Sequence, residues 1–226
     1  MNLEDLRYGP SKDAEKKVLE CADIIGGCGK FLDVGCGFGS LTLEFAHRMG
    51  ANQIYGVDND SNRTTKANKV GVMAVCSDIT SGLPFDDSFF DVVLCHQVAE
   101  HLTDADMLLK EINRVLKSKG KFVISVPNLC SFHNRIFVLF GYQPTVISPS
   151  NHYPFGNPIQ KEALEEDMGH RHNKAFSPKA FKAMIKYYGF GIDHYFGAGI
   201  YFLPRFILQL SPELGVNQIV VASKNN

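Results

Sequence analysis

The sequence lacks several features that mark specialised classes of protein. Its six cysteines include no C-x-x-C pair, and Lys plus Arg (23) balance Asp plus Glu (24) to give a net charge of −1. It has no run of about 18 uninterrupted apolar residues, which a membrane-spanning helix requires. The stretch from Met1 to Arg7 carries Glu4 and Asp5 where a signal peptide has basic residues. We therefore expect no transmembrane segment, no secretory leader, no disulfide framework and no nucleic-acid partner.

The composition is otherwise that of an ordinary globular domain. The chain has 226 residues, of which 45% are hydrophobic and 21% charged, enough for one α/β domain with a sizeable core. Several cysteines lie in apolar, strand-like runs, which is typical of buried thiols in a reducing compartment. We expect a cytoplasmic protein whose partner is a small molecule.

Apolar runs alternate with helix-periodic segments along the chain. Strands are predicted at 31–34, 53–57, 72–76, 90–95, 121–126, 190–196 and 217–223. Helices are predicted at 14–25, 41–49, 61–70, 103–120 and 177–188, the fourth opening at Thr103 and closing at Gly120. This alternation predicts an α/β fold with a mostly parallel sheet.

The alternation stops between Asn128 and Ala175. This segment is rich in proline, histidine and tyrosine, and connections of such length in a compact domain are usually functional. We predict a single domain over residues 1–226 with a substrate-binding or lid insertion at 128–175. The apolar stretch 200–210 is predicted to pack in the core, with contact to a membrane or a lipid as the less favoured alternative.

A glycine-rich loop between the first strand and the second helix carries the strongest functional signal. Gly35, Gly37 and Gly39 follow Asp33, and glycines allow a ligand to approach the backbone closely. The helix that follows directs N–H groups and a partial positive charge at the loop. Asp58 ends the second strand, where a carboxylate of a nucleotide site accepts hydrogen bonds from ribose hydroxyls. A tight turn in an unliganded protein is the simpler alternative.

The spacing of the glycines distinguishes between cofactors. The dinucleotide pattern is G-x-G-x-x-G/A, whereas this loop has Ser40 at the last position and its third glycine one residue earlier. Asp33 would repel a pyrophosphate but suits a ligand with an amino group. Both features favour S-adenosylmethionine, whose methionine end is zwitterionic.

These motifs resemble, in order and spacing, those of the class I S-adenosylmethionine-dependent methyltransferases, in particular the ubiquinone-biosynthesis-type (methyltransferase type 11-like) branch. The resemblance covers residues 29–126. It implies a Rossmann-like three-layer sandwich whose seven-stranded sheet has an antiparallel last strand. It also implies methyl transfer to a small-molecule acceptor at oxygen, and the apolar stretch 200–210 is compatible with a lipid-like one. The cofactor-binding residues that it implies are Asp33, Gly35, Cys36, Gly37, Gly39, Asp58, Asn59, Ser77, Asp78, Ile79 and His96.

The resemblance assigns these residues to parts of the cofactor. The glycine loop would pass around the methionine moiety, with Asp33 near its ammonium. Asp58 would hold the ribose hydroxyls, and Asp78 would accept from the adenine amine. Ile79 would cover the face of the ring, and His96 would contact the methionine end through its backbone.

The acceptor side is less defined. His101 lies in the loop that faces the cofactor in this family, and we predict it to be the general base for an acceptor that must lose a proton. Because ligands bind at the carboxyl edge of such a sheet, Asn128, His133 and His152 are predicted to contact the acceptor, with Arg135 and Tyr153 nearby.

Three alternatives accompany these predictions. His170 and His172 could suggest metal ligands, but no Cys or acidic residue has matching spacing, so we predict no metal. A non-catalytic protein that binds S-adenosylmethionine for a partner is the second alternative. A nicotinamide-dependent oxidoreductase is the third, and the glycine spacing argues against it.

Overall fold

Seven strands form a single sheet in the computed structural model, which describes residues 3–150, 152–159 and 172–225. The strands are β1 (Lys30–Val34), β2 (Gln53–Asp58), β3 (Met73–Cys76), β4 (Phe90–His96), β5 (Leu116–Pro127), β6 (Phe190–Ala198) and β7 (Asn217–Lys224). Their order is β3-β2-β1-β4-β5-β7-β6. Neighbours from β3 to β5 are parallel, and β7 is antiparallel to both β5 and β6. The predicted seven-stranded sheet with an antiparallel last strand is confirmed.

Helices cover both faces of this sheet. They are α1 (Leu3–Ile25), α2 (Ser40–Met49), α3 (Ser61–Lys69), α4 (Ala105–Val115), α5 (Phe132–Leu139), α6 (Pro178–Tyr187) and α7 (Ile207–Leu210). On one face, Ile112 of α4 and Phe181 of α6 pack with Phe122 of β5 in a buried cluster. On the other, Val18 of α1 and Phe45 of α2 belong to a second cluster. The two clusters make the three-layer sandwich that the sequence predicted.

The helix boundaries correct two predictions. α1 begins at Leu3 and continues through Pro10, whereas the sequence pattern placed its start after that proline. Asp104, not Thr103, caps α4, because its carboxylate accepts from the backbone N–H of Met107 at 2.9 Å. α4 also ends at Val115 rather than at Gly120, since β5 already begins at the next residue.

The segment 128–175 contains a helix that the sequence pattern did not predict. α5 occupies Phe132–Leu139, and turns or irregular backbone make up the rest of its described residues. Asn128 ties the start of the segment to the sheet, since its N–H donates to Val216 O at 2.8 Å. Of the residues in the metal alternative, His170 and Arg171 lie outside the described part of the chain.

The apolar stretch 200–210 does not pack as core, contrary to our prediction. Phe202 is 63% exposed, Phe206 61% and Leu210 80%, and α7 buries none of its residues. Among the described residues, no helix combines the length and the apolar character needed to cross a bilayer.

Candidate cofactor and acceptor site

The candidate site lies where the order of the strands reverses. β1 and β4 are neighbours, with Val34 opposite Cys95, while the chain continues from β1 outward to β2 and from β4 outward to β5. The loops after these two strands therefore diverge and leave a crevice at their carboxyl ends. Such a switch point is where open α/β sheets bind ligands.

Two positions of the glycine loop require glycine for different reasons, which are close packing at Gly35 and backbone conformation at Gly37. A side chain at Gly35 would meet Val98 Cγ2 at 2.4 Å, so this glycine permits close packing against the loop after β4. Gly37 has a φ of +53°, which favours glycine, yet a Cβ there would have no atom within 4 Å. The loop thus presents backbone to open space at Gly37, which is the cradle that a ligand needs. α2 begins directly after Gly39 without a side-chain cap.

Asp58 joins the end of β2 to this loop. Its side chain is buried, and Oδ2 accepts from the N–H of Gly37 at 3.0 Å while Oδ1 accepts from the N–H of Asp60 at 3.1 Å. A carboxylate oxygen can accept more than one hydrogen bond. Asp58 therefore holds the loop in place and keeps acceptor capacity for hydroxyls of a bound ligand.

The side chain of Asp33, which is predicted to contact the cofactor's ammonium, is buried. The hydroxyl of Thr42 donates to its Oδ2 at 2.7 Å. Burial raises the pKa of Asp33 to about 7, the charge of Asp58 adds to this increase, and the hydrogen bond from Thr42 opposes it. A cation placed beside Asp33 would offset this penalty, because an opposite charge favours the ionised form.

The next predicted group lies at the end of β3. Ser77 N–H donates to Asp58 O at 3.0 Å, which places the two loops side by side. Asp78 is exposed and starts a short helical turn by accepting from the N–H and the hydroxyl of Thr80, and these bonds lower its pKa. Ile79 is buried and Asn59 is exposed. Asp58 and Asp78 therefore belong to adjacent loops, as expected for ribose and adenine contacts.

Cys36 is the buried member of the glycine loop. Burial raises the pKa of its thiol to about 12, so the side chain is neutral. A Cβ at Gly56 of β2 would lie 2.7 Å from its Sγ, which shows how tightly the thiol packs. The structure thus gives the side chain a packing role, and its backbone forms part of the loop.

The loop after β4 faces the glycine loop. Nδ1 of His96 lies 2.6 Å from Ser125 Oγ, and burial lowers the pKa of His96 to about 4. Gln97 follows with a φ of +54°, an uncommon conformation for a residue with a side chain and one that clusters at functional sites. Val98 then packs on Gly35, which joins the two loops.

A family comparison agrees with this geometry. A family model described as a methyltransferase domain matches residues 32–124, which run from β1 into β5 and include every loop described above. The predicted resemblance to the class I S-adenosylmethionine-dependent methyltransferases is confirmed over these residues. Its cofactor is S-adenosylmethionine, and the groups present fit it: a cradle at Gly37, and carboxylates for an amino group and for hydroxyls.

Curated relatives match part of the chain. An uncharacterised protein of Methanocaldococcus jannaschii is 42% identical over 100 residues, covering 43% of this chain and 40% of the relative. The sterol 4-C-methyltransferase of Caenorhabditis elegans is 34% identical over 41% of this chain and 29% of its own length. A ubiquinone/menaquinone biosynthesis C-methyltransferase of Idiomarina loihiensis is 28% identical over 53% and 50%. The chain thus spans half or less of the length of these relatives.

Solved structures share the fold over nearly the whole chain. A methyltransferase from Archaeoglobus fulgidus has a TM-score of 0.62 at 20% identity, covering 98% of this chain and 97% of that one. A chain from the Haloferax volcanii complex that contains the Trm112 methyltransferase activator has a TM-score of 0.63 at 14% identity, covering 99% and 92%. At these identities the likeness shows the fold alone.

The segment 128–175 returns to the loop after β4. Asn173 donates from its N–H to Glu100 O at 2.6 Å and from its side chain to His101 O at 2.5 Å. The ring of His172 meets the ring of His101 edge-on, with centroids 5.0 Å apart. The described end of the segment is therefore anchored beside His101, the predicted general base.

The structure places the predicted acceptor residues in different environments. Asn128 is fully buried: its amide donates to Glu213 O and Gly215 O, and its Oδ1 accepts from the N–H of Cys130. Because all of its side-chain groups are engaged, the structure favours a supporting role for Asn128 over the predicted contact with an acceptor.

His133 is also buried, whereas His152 is exposed. His133 Nε2 lies 3.0 Å from Thr145 Oγ1, its ring packs on Tyr201, and burial lowers its pKa to about 4. His133 therefore holds α5 against its surroundings. His152 presents its side chain to solvent, as do Arg135 and Tyr153. A contact between His152 and an acceptor stays a prediction.

Sequence reasoning missed Glu100 as a site residue. Its side chain is 1% exposed, and burial raises its pKa to about 8. It was passed over because a charged residue in a short helical turn gives no periodic signal. The sequence gives only the position of its neighbour His172 along the chain, whereas the tertiary structure brings His172 close to Glu100 and His101.

Proposed function

We propose that this methyltransferase transfers the methyl group of S-adenosylmethionine to a small-molecule acceptor at oxygen, by in-line displacement. The observation that carries the proposal is the open backbone at Gly37, flanked by Asp58 and by the loop after β4. The cofactor supplies an activated methyl group on a sulfonium that is its own leaving group. The protein's task is therefore mainly to align donor and acceptor.

The geometry of the three loops supports the cofactor-binding residues that the family resemblance implies. We propose that Asp58 accepts from the ribose hydroxyls and that Asp78 accepts from the adenine amine, with Ile79 against the ring and Asn59 beside it. Asp33 holds the ammonium, and the backbone at His96 contacts the methionine end. Each carboxylate lies at the carboxyl edge of the sheet, as these roles require.

His101 is our proposed general base. It ends the short helical turn Ala99–His101, three residues beyond Val98, which packs on the glycine loop. A base at this point can take a proton from an acceptor hydroxyl while the methyl group is transferred. The insertion at 128–175 supplies the remaining acceptor contacts, because its end is hydrogen-bonded to the same turn.

The net charge of the chain and its exposed apolar side chains support one chemical class of acceptor. The chain has a net charge of −1, which does not favour a polyanion such as nucleic acid. The side chains of Leu139, Phe140 and Phe206 are exposed, which suits an apolar acceptor. Two relatives are named for a sterol and for quinones, both lipids. We therefore propose a lipid-like small molecule, and a cytoplasmic location in keeping with six free cysteines.

An acceptor screen tests this proposal. Calorimetry first measures binding of S-adenosylhomocysteine, and methyl-labelled S-adenosylmethionine is then offered with phenolic quinone precursors, sterols, tRNA and protein. Incorporation into a phenolic oxygen supports the proposal, and incorporation into ring carbon, as the relatives' names suggest, overturns the choice of oxygen. Labelled tRNA or protein would refute the small-molecule class. Cofactor binding without transfer to any acceptor would favour the non-catalytic alternative, and binding of NAD alone the oxidoreductase.

A further inference from the structure

Glu100 is a buried carboxyl group whose side-chain oxygens receive no hydrogen bond from the described residues. Both of its oxygens are inaccessible to solvent, and no other described residue donates a hydrogen bond to either. Buried polar atoms of native proteins nearly always have a partner, and an exception calls for an ion or ligand at that position. The side chain of Glu100 lies close to two histidines, His101 and His172.

Glu100, His101 and His172 form a compact group. One ligand atom from each lies within 4.8 Å of the others, and His101 Nε2 is 4.0 Å from Glu100 Oε1. Atoms that share a cation at bond lengths of about 2.1 Å lie about 3 Å apart, so small side-chain rotations would close the group around an ion.

Two hydrogen bonds preorganise this group. His172 Nδ1 lies 2.8 Å from the carbonyl oxygen of Val146, which only accepts, so Nδ1 carries the hydrogen and Nε2 carries the lone pair of the neutral ring. A backbone carbonyl on the other ring nitrogen is the usual support of a metal-bound histidine. Asn173 fixes the next residue to the carbonyls of Glu100 and His101.

We propose that Glu100, His101 and His172 bind a divalent transition-metal ion such as Zn²⁺. Two imidazoles and one carboxylate form a ligand set that zinc accepts, and three protein ligands leave a position for an oxygen from outside. That the open position takes the acceptor's oxygen rests on the proposed function. In that case the ion would lower the pKa of the acceptor hydroxyl, so that its proton passes to solvent water, and His101 would act as a ligand instead of as the base.

Metal binding is tested on untagged, chelator-treated protein by calorimetry with zinc chloride. We expect one zinc per chain, and no comparable binding of Mg²⁺ or Ca²⁺, which prefer oxygen ligands. Glu100→Gln and His172→Asn should each weaken zinc binding by more than about 100-fold, since even the loss of a group that only supports a metal ligand costs about 10–100-fold. His194→Asn, at an exposed histidine of β6, is the matched control and should bind zinc normally. The spectrum of the cobalt(II) form should lack thiolate charge-transfer bands, which separates this site from the free cysteines.

The result that overturns the proposal is an absence of stoichiometric zinc binding, or binding that Glu100→Gln and His172→Asn leave unchanged. Binding of S-adenosylhomocysteine, measured on the same samples, reports separately on the proposed function. Cofactor binding without zinc binding refutes only the metal site, whereas zinc binding without cofactor binding refutes the proposed function. If Glu100→Gln does not fold, judged by thermal melting, His172→Asn decides the outcome.

Discussion

Asp33 should make cofactor binding depend on pH. Burial, assisted by the charge of Asp58, raises the pKa of Asp33 from 3.8 to about 7 in the free protein. Below pH 7 the free protein therefore holds Asp33 mostly protonated, while the proposed contact with the cofactor's ammonium requires the carboxylate. Binding at pH 6 must then release a proton.

The magnitude follows from the pKa of about 7. About one tenth of the protein has an ionised Asp33 at pH 6 and about nine tenths at pH 8, so affinity for S-adenosylhomocysteine should be about tenfold weaker at pH 6, or about 1.4 kcal/mol. A rise in pH has the opposite effect on the folding stability of the free protein, which decreases while the affinity for the cofactor increases. Because the folded pKa of this acid lies above the unfolded one, stability is lost as pH rises from 3.8 towards about 7, and bound cofactor should reduce that loss.

Calorimetry in buffers with different heats of ionisation checks both the affinity and the released proton. The Asp33→Asn variant should bind S-adenosylhomocysteine more weakly, and its affinity should not change between pH 6 and pH 8. At pH 6 it should release about one proton fewer on binding than the unaltered protein does. Among nearby groups, His96 and Cys36 have pKa values of about 4 and about 12, outside this window, while Glu100 at about 8 lies inside it. Glu100→Gln is therefore the control. A pH dependence that Asp33→Asn keeps and Glu100→Gln loses would refute the reasoning.

Further predictions concern cofactor affinity, thermal stability and turnover in five other variants. Asp58→Ala should weaken binding of S-adenosylhomocysteine by about 2–4 kcal/mol with the fold intact, because it removes two charge-assisted acceptors. Gly37→Val should abolish cofactor binding with a modest loss of thermal stability, whereas Gly35→Ala should lower the melting temperature strongly, because its Cβ would meet Val98 at 2.4 Å. His152→Ala should reduce turnover without changing cofactor affinity, while His133 is buried and its change to alanine should also destabilise the fold by about 1–3 kcal/mol.

Each of these predictions has a contradicting result. Unchanged affinity in Asp58→Ala would end its assignment to the ribose, and normal binding by Gly37→Val would mean that the loop does not hold the cofactor. An unchanged melting temperature in Gly35→Ala would show that the loop after β4 moves easily to accommodate the added methyl group. Full turnover in His152→Ala would remove this histidine from the acceptor site.

The sheet was predictable because its strands are short apolar runs separated by periodic helices. The errors arose where tertiary contacts override local pattern. The helix pattern of α4 continues past Val115, but pairing of Leu116 with Phe90 draws those residues into the sheet. The apolar stretch 200–210 looked like core, yet Phe206 and Leu210 face solvent. Apolar character alone does not tell a core segment from an exposed contact surface.

The cofactor-binding half of the site could be predicted from the sequence for a related reason. Asp33, the glycines and Asp58 lie at the ends of two consecutive strands, so their spacing along the chain reports their proximity in space. The acceptor half has no such correspondence. His172 reaches Glu100 and His101 only because the long segment folds back, and no spacing rule connects them. The prediction that no metal binds relied on local spacing and so could not consider Glu100.

One short helical turn serves both halves of the site. Val98, immediately before the turn Ala99–His101, packs against Gly35 of the cofactor loop. Within the turn, the carbonyl of Glu100 accepts from the N–H groups of Asn173 and Lys174 in the acceptor segment. Only one residue separates Val98 from Glu100, so the contact with the glycine loop and the anchor of the acceptor segment belong to the same short stretch of backbone. A pattern of side chains along the sequence does not record this connection.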